Sequence, residues 1–469
     1  MTVRPNIAII GGGFTGAVVA LNLLRRLPTE SAKLTIIEPR AVLGAGLAYS
    51  TLDPAHRVNV PAARLLVLAE EPGAFDQWFK ASEAAVSDPD ALLPDGRAYP
   101  QRAVFGAYVD GLLRQAAAAP GAIPFEHIQC LAFSVDRAAH GFSIALENGG
   151  FVDADIIVLA VSHPPPAVPK PFRDVSSHPK FVSNPWKAGA MAGIGATDHV
   201  LIIGTALTAA DVIASLKSSG HIGRLRAISR RGLVSRLRKM QQTKTYGDFV
   251  SPPHRTVLAL LRAVRDTIIR AEASGSTWGA VMDGLRVQGL EVWSALPPSE
   301  KKRFLRHLRP FWDAHRYQMA PQPAAIIDAE CAAGNLRICA ARIQSVSLEG
   351  EQFKVTLKSR EAGVRTEEKF DAIVNCTGPD HAHVVETNSV LRSLAAAGLI
   401  CADAFGLGVH TDLSARAVSR TLDPSADIFI AGPLARATFG ELMGLPQVSQ
   451  HAALVAQEVA KQLAEQKLS

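Results

Sequence analysis

The chain has 469 residues, of which 48% are hydrophobic and 20% charged, with a formal net charge of +6. That length accommodates two or three domains with substantial cores, and its apolar runs, such as 156–161, are far too short to span a bilayer. The modest basic excess suggests no nucleic-acid partner, and the five cysteines (Cys130, Cys331, Cys339, Cys376 and Cys401) contain no C-x-x-C, which argues against a disulfide framework, a zinc site and a dithiol redox centre.

Residues 6–10 form an apolar run of the kind expected of a parallel strand buried on both faces. The run enters Gly11-Gly12-Gly13-Phe14-Thr15-Gly16. Residues 15–26 then carry helical spacing, with Val18, Leu21 and Leu24 on one stripe, and 34–38 read as a second strand ending in Glu38. This is a βαβ unit with G-x-G-x-x-G at Gly11, Gly13 and Gly16. The first glycine makes the tight turn, the second admits a pyrophosphate, and the third lets helix and strand pack closely. The helix N-terminus around Phe14 and Thr15 offers N–H groups and partial positive charge to phosphate. Glu38 is placed to accept from a ribose hydroxyl. A core strand starting at Asn6 leaves no expectation of a secretory leader, so a cytoplasmic location is expected.

Beyond Glu38, the loop 43–51 carries Gly46 and is expected to supply backbone amides to the same nucleotide. His56-Arg57-Val58-Asn59-Val60-Pro61 follows. Residues 75–81 and 103–119 read as helices. Pro100 cannot lie inside a helix or a strand, so Arg102 is expected to open the second of them. Then come a strand at 126–135, a hairpin at 141–147 and 150–154, and a buried strand at 155–161. Ser162-His163 and three prolines end this passage.

The pattern then restarts. Residues 199–203 lead into Gly204-Thr205-Ala206-Leu207-Thr208-Ala209, a helix to about 218 and a strand at 225–229. Ala206 and Ala209 replace the second and third glycines, and a methyl at 206 is expected to crowd a pyrophosphate. This strand ends in Arg230-Arg231 where the first ends in an acid. A guanidinium there suits a ribose 2′-phosphate, which favours NADPH over NADH.

Residues 252–334 read as a helical insertion, with Val257, Leu260, Leu261, Val264 and Ile268 on one stripe. Ser299 is expected to cap a helix that Pro310 kinks or ends. The stretch 311–316 is a candidate lid or wall of a substrate site. Strands at 336–348, 352–358 and 366–370 and a buried strand at 371–376 repeat the earlier passage. This internal duplication points to two dinucleotide-binding domains. A final strand at 427–430 runs into Gly432-Pro433, and a closing helix covers 451–463. If the first domain is discontinuous, Gly432 and that helix return to cover its cofactor.

The expected fold class is therefore α/β: two Rossmann-like, glutathione-reductase-like dinucleotide-binding domains with a helical insertion. The first is expected at 1–185 and 380–469, the second at 195–379. The chain resembles the two-dinucleotide-binding-domain flavoproteins, including the class B flavin monooxygenases. A closer resemblance is to the bacterial FAD/NAD(P)-binding protein family. Four stretches carry it: Gly46–Ser50, His56–Ala62, Pro100–Tyr108 (with Gln101 between Pro100 and Arg102) and Trp312–Arg316. The resemblance implies FAD at Gly11, Gly13, Gly16 and Glu38, and NAD(P)H at the Gly204 motif. It also implies kinship with urate hydroxylases and N-hydroxylating monooxygenases.

The first functional expectation is an NADPH-dependent flavin monooxygenase acting with molecular oxygen on a small amine or ring. Asn59 and Arg102 are the candidate residues at the reacting ring, with His163 equally readable as structural. Gly11, Gly13, Phe14, Thr15, Gly16, Glu38, Gly46, Gly204, Thr205, Thr208, Arg230, Arg231 and Gly432 are the candidate cofactor contacts. No metal and no membrane are expected. A flavin dehydrogenase without oxygen insertion and a non-catalytic flavin-binding regulator are the alternatives.

Overall fold

The computed structural model describes residues 4–161, 163–237 and 244–466; Ser162, expected to close the first sheet passage, lies outside them. A six-stranded sheet runs in the order Arg416–Val418, Pro424–Ile430, Ile156–Leu159, Asn6–Ile10, Lys33–Ile37, Phe125–Ile128. All its pairings are parallel except the one at the Arg416–Val418 edge. Asn6–Ile10 pairs with Lys33–Ile37 on one side and Ile156–Leu159 on the other. That central position explains the apolar run from Ile7 to Ile10. The helix Phe14–Arg26 packs on this sheet with the closing helix Gln447–Gln466 beside it.

A seven-stranded sheet follows the order Arg365–Phe370, Gln352–Ser359, Leu336–Glu349, Leu225–Ser229, Val200–Ile203, Ala372–Asn375, Phe181–Val182. Leu336–Glu349 does two jobs. Its first half pairs parallel with Leu225–Ser229, and its second half pairs antiparallel with Gln352–Ser359 after a register shift between Ile343 and Ser345. The first unit divides the same work. The single strand expected at 126–135 is two strands, Phe125–Ile128 and Ala132–Arg137. The second of them joins a separate three-stranded meander with Phe142–Leu146 and Phe151–Ala154.

The expected boundary at 185 lies too late. Phe181–Val182 pairs with Ala372–Asn375, and Phe172, Val175 and Phe181 sit in the core of the second sheet. Val384, Val390, Leu391 and the strand Pro424–Ile430 pack in the core of the first.

The insertion is a set of short helices around Phe249, Leu260, Ala271, Val281 and Leu285. Thr256 caps the first, Val257–Ala273, by accepting from the Ala259 N–H at 3.2 Å. Two local expectations fail here. Ser299 is inside the helix Pro298–His307, which follows Pro297 as its cap. Pro310 opens the next helix, Arg309–Arg316, because the first turn of a helix has no intrahelical use for a proline N–H. No helix among the described residues is long and apolar enough to cross a membrane.

Candidate functional site

At the first turn Gly11 has φ +102°, and a Cβ there would stand 2.5 Å from the Ala160 carbonyl oxygen. A Cβ on Gly16 would lie 1.9 Å from the Gly11 oxygen. Both positions therefore admit only glycine. Gly13 caps the helix in an extended conformation, and no side chain satisfies the helix N-terminus. Gly46, with φ +49°, brings its backbone against Gly13; a Cβ on Gly46 would be 3.0 Å from the Gly13 Cα. The expected loop around it contains a short helix, Gly46–Tyr49. Phe14 holds that helix in place, stacking on Phe105 at 5.7 Å and meeting Tyr49 edge-on at 6.1 Å. Gly106 lets the helices approach, since a Cβ there would reach the Tyr49 oxygen at 2.7 Å.

Glu38 is buried at the end of its strand. It accepts the Gly12 N–H at 2.9 Å and a contact from the Arg40 guanidinium at 2.9 Å. The acid thus fixes the glycine turn, and Arg40 is a partner that sequence reasoning missed. On the opposite side Gly432, φ +72°, approaches Thr15 so closely that a Cβ would meet its Oγ1 at 2.7 Å. The Gly432 N–H donates to His451 Nδ1 at 3.1 Å. Burial pushes the His451 imidazole down to about 3, so it stays a neutral acceptor. The first turn thus brings together an uncapped helix N-terminus at Gly13, the buried Glu38 carboxylate and, against Thr15, the side-chain-free Gly432.

The second turn repeats the first in outline. A Cβ on Gly204, φ +126°, would come 2.3 Å from the Cys376 oxygen. Ala206 caps the helix Leu207–Ser218 at φ −95°, with no side-chain cap. The residue is exposed. Ala209 is buried among the sheet residues. Thr205 is buried, and its hydroxyl contacts Ser229 Oγ at 2.9 Å and the Leu233 carbonyl; it braces the strand end. Thr208 lies in the first turn of the helix. Arg230 is exposed at the strand end. Arg231 lies over the Phe311 ring at 4.9 Å.

Asn59 and Arg102 are brought together, but as a tie between the two units. Arg102 opens the helix Arg102–Ala117, as expected. Its guanidinium is buried and donates to the Arg57 carbonyl at 2.8 Å, to Asn59 Oδ1 at 3.3 Å and to Asp211 Oδ1 at 3.0 Å. Asp211 belongs to the second unit's helix. One turn further on, Ser215 Oγ meets His56 Nε2 at 2.9 Å and donates to Asp53. Trp186 sits over Arg102 and edge-on to His56. The His56–Ala62 stretch is therefore the first unit's half of an interdomain latch. His163 stands T-shaped to His381 at 4.8 Å, each beside one of the chain crossings between units. Burial, with Arg436 nearby, keeps both imidazoles uncharged, that of His163 near 4.

The stretch Trp312–Arg316 serves the wall of a cavity of about 120 Å³ between the insertion and the segment 407–443. Trp312 and Asp313 line it, and Arg316 pairs with Glu441 at 2.7 Å across the boundary.

A family model described as FAD-NAD(P)-binding matches residues 8–164. No curated protein sequence matches the chain. Among solved structures, the chain is similar to reduced ornithine hydroxylase from Pseudomonas aeruginosa, with a TM-score of 0.65 at 13% identity over 98% of this chain and 100% of that one. It is similar to ornithine N-hydroxylase from Kutzneria sp. 744, with a TM-score of 0.63 at 16% identity over 99% of this chain and 100% of that one. The FAD-bound cadaverine monooxygenase from Erwinia amylovora gives a TM-score of 0.66 at 10% identity over 98% of this chain and 95% of that one. The fold is that of the two-domain FAD- and NADP-binding flavoproteins.

Proposed function

We propose that this protein is an FAD- and NADPH-dependent monooxygenase that hydroxylates a small amine. The single observation that carries the reading is the end-to-end likeness to three amine hydroxylases, each covered over at least 95% of its length. The paired glycine turns support it with the binding geometry.

When bound, FAD accepts a hydride from NADPH and reacts with oxygen, so the protein's part is placement and dryness. The Gly11–Gly16 turn and the Phe14 helix terminus take the FAD pyrophosphate, and Glu38 takes a ribose hydroxyl. Gly432 keeps side chains out of the ring's space. Gly204 and the helix beginning at Leu207 take the NADPH pyrophosphate. Arg230, the more open of the two guanidiniums, takes the 2′-phosphate, while Arg231 is partly engaged by Phe311. Arg102 acts as a positioning residue that holds the units in register through Asp211. Asn59 orients it.

The test is the visible spectrum of the purified protein, followed anaerobically as NADPH is added and then in air with candidate amines. Flavin bands that bleach with NADPH, and oxygen-dependent formation of a hydroxylamine, are expected. Bands that persist through NADPH addition would remove the reading.

A further inference from the structure

One guanidinium lining the cavity leaves two of its donor nitrogens without hydrogen bonds among the described residues. Arg436 lies just past the Gly432 turn and is 4% exposed. Its Nη1 meets the Met443 sulfur at 2.9 Å, whereas Nε and Nη2 are buried without a hydrogen-bond partner among the described residues. Those two nitrogens form one edge of the guanidinium, the spacing that takes both oxygens of a carboxylate. Buried donors left open in this way call for a ligand or another partner.

The surrounding charge favours an anion. Arg309 lines the same cavity as a second guanidinium. Burial, and then Arg309, lower Arg436 to about 10, which leaves it a cation at neutral pH. The nearby carboxylates are committed elsewhere or weakened. Glu441 is held by Arg316 at 2.7 Å. Asp403 accepts the Phe405 and Leu407 N–H groups at 2.6 and 2.8 Å. Asp313 is 3.5 Å from Arg309, and burial raises it to about 6. The Tyr317 phenol, raised by burial, and the two neutral imidazoles His163 and His381 add no charge. Apolar side chains such as Trp293 and Leu285 make up the rest of the wall.

We infer that the open edge of Arg436, backed by Arg309, binds the carboxylate of the substrate, so that the substrate is a small amine that also bears a carboxylate. The inference rests on the amine-hydroxylation reading and narrows it from amines in general to amino acids. The cavity, about 120 Å³, is on the scale of the roughly 150 Å³ space that holds a benzene molecule.

The test uses the full-length, FAD-loaded protein. Flavin difference spectra are recorded during titration with L-lysine, L-ornithine, L-aspartate and L-glutamate, and with cadaverine and putrescine, which lack the carboxylate. At least one acid is expected to bind, with the diamines about 50-fold weaker, as loss of a charge-assisted pair predicts. Arg436→Gln should weaken that acid about 50-fold at unchanged flavin content, and Arg309→Gln about 5-fold, in keeping with its greater exposure. Arg436→Lys keeps the charge but loses the paired donors, and should weaken binding about 10-fold even if the Gln variant does not fold. Diamines binding as tightly as the acids, no binding by any acid, or Arg436 and Arg309 variants with wild-type affinity would each overturn the inference. Loss of FAD in folded Arg436→Lys would do so too, by assigning Arg436 to the cofactor. These titrations need no NADPH, so failure of NADPH bleaching removes the parent reading separately.

Discussion

Gly11 and Gly204 occupy matching turns in the two units, and in each a Cβ would strike the carbonyl oxygen at the end of the neighbouring strand, Ala160 or Cys376. The third motif position separates them. Gly16 is pressed onto the Gly11 carbonyl, whereas Ala209 sits in the same place with its methyl buried among sheet residues. The second helix must therefore stand farther from its turn. The second position differs less than the sequence suggests. Gly13 and Ala206 are both extended, with φ −67° and −95°, a conformation open to any L-residue. Gly46 and Gly432 close tightly on the first turn. The contrast suits one nucleotide held permanently and another that must come and go.

Breaking the tie between the units should have the largest effect. Arg102→Met leaves the Asp211 carboxyl buried without its guanidinium partner, and should cost about 3–5 kcal/mol in chemical denaturation. Asp211→Leu in the same chain should restore most of that stability. If turnover fails to return with it, Arg102 takes part in the chemistry directly and the latch reading falls.

Next comes Gly16→Ala against Ala209→Gly. The first should abolish flavin retention, because the added methyl overlaps the Gly11 carbonyl. The second should cost about 0.5–1 kcal/mol in thermal unfolding, the usual price of glycine in a helix, and leave flavin in place.

Acid should also act on the two units unequally. His451 is held well below its unfolded value, so its contribution is present above about pH 6.5 and is lost as pH falls toward 3. At pH 5 the loss is about 2 kcal/mol. Protonation also removes the acceptor for the Gly432 N–H. Stability should therefore begin to fall below pH 6.5 and flavin release should follow as pH nears 3, both shifting downward in His451→Gln. An unshifted release curve would clear this histidine.

Smallest are the changes at the second turn. Arg230→Ala should raise the KM for NADPH about 10-fold and leave that for NADH alone. Arg231→Ala should do less, being drawn toward Phe311, and Ala206→Gly should change either KM by less than about 3-fold. Equal losses with both nucleotides would place the arginines outside the phosphate site.

Much of this arrangement could be read from residue order. Glycines with positive φ, apolar central strands and the acid at Glu38 are local demands, each visible within a short window. The misreadings share a cause in long-range partners. Phe181–Val182 is a two-residue strand, defined only by its pairing with Ala372–Asn375. The tie that holds Arg102 could not be read locally, because Asp211 lies 109 residues away. Pro310 was ambiguous, since proline both ends helices and opens them. Nothing around Arg436 in sequence hints that it is buried, because the walls that bury it come from the insertion.

That shared cavity has a consequence for how specificity changes over time. Its lining is drawn from two stretches far apart in the gene, the helices of the insertion and the segment 407–443, joined by the Arg316–Glu441 pair. A graft of the insertion alone would bring one half of a wall and strand a charge at the seam. Transplanting substrate choice between relatives therefore requires both stretches to move as one cassette, and natural divergence must alter them in concert.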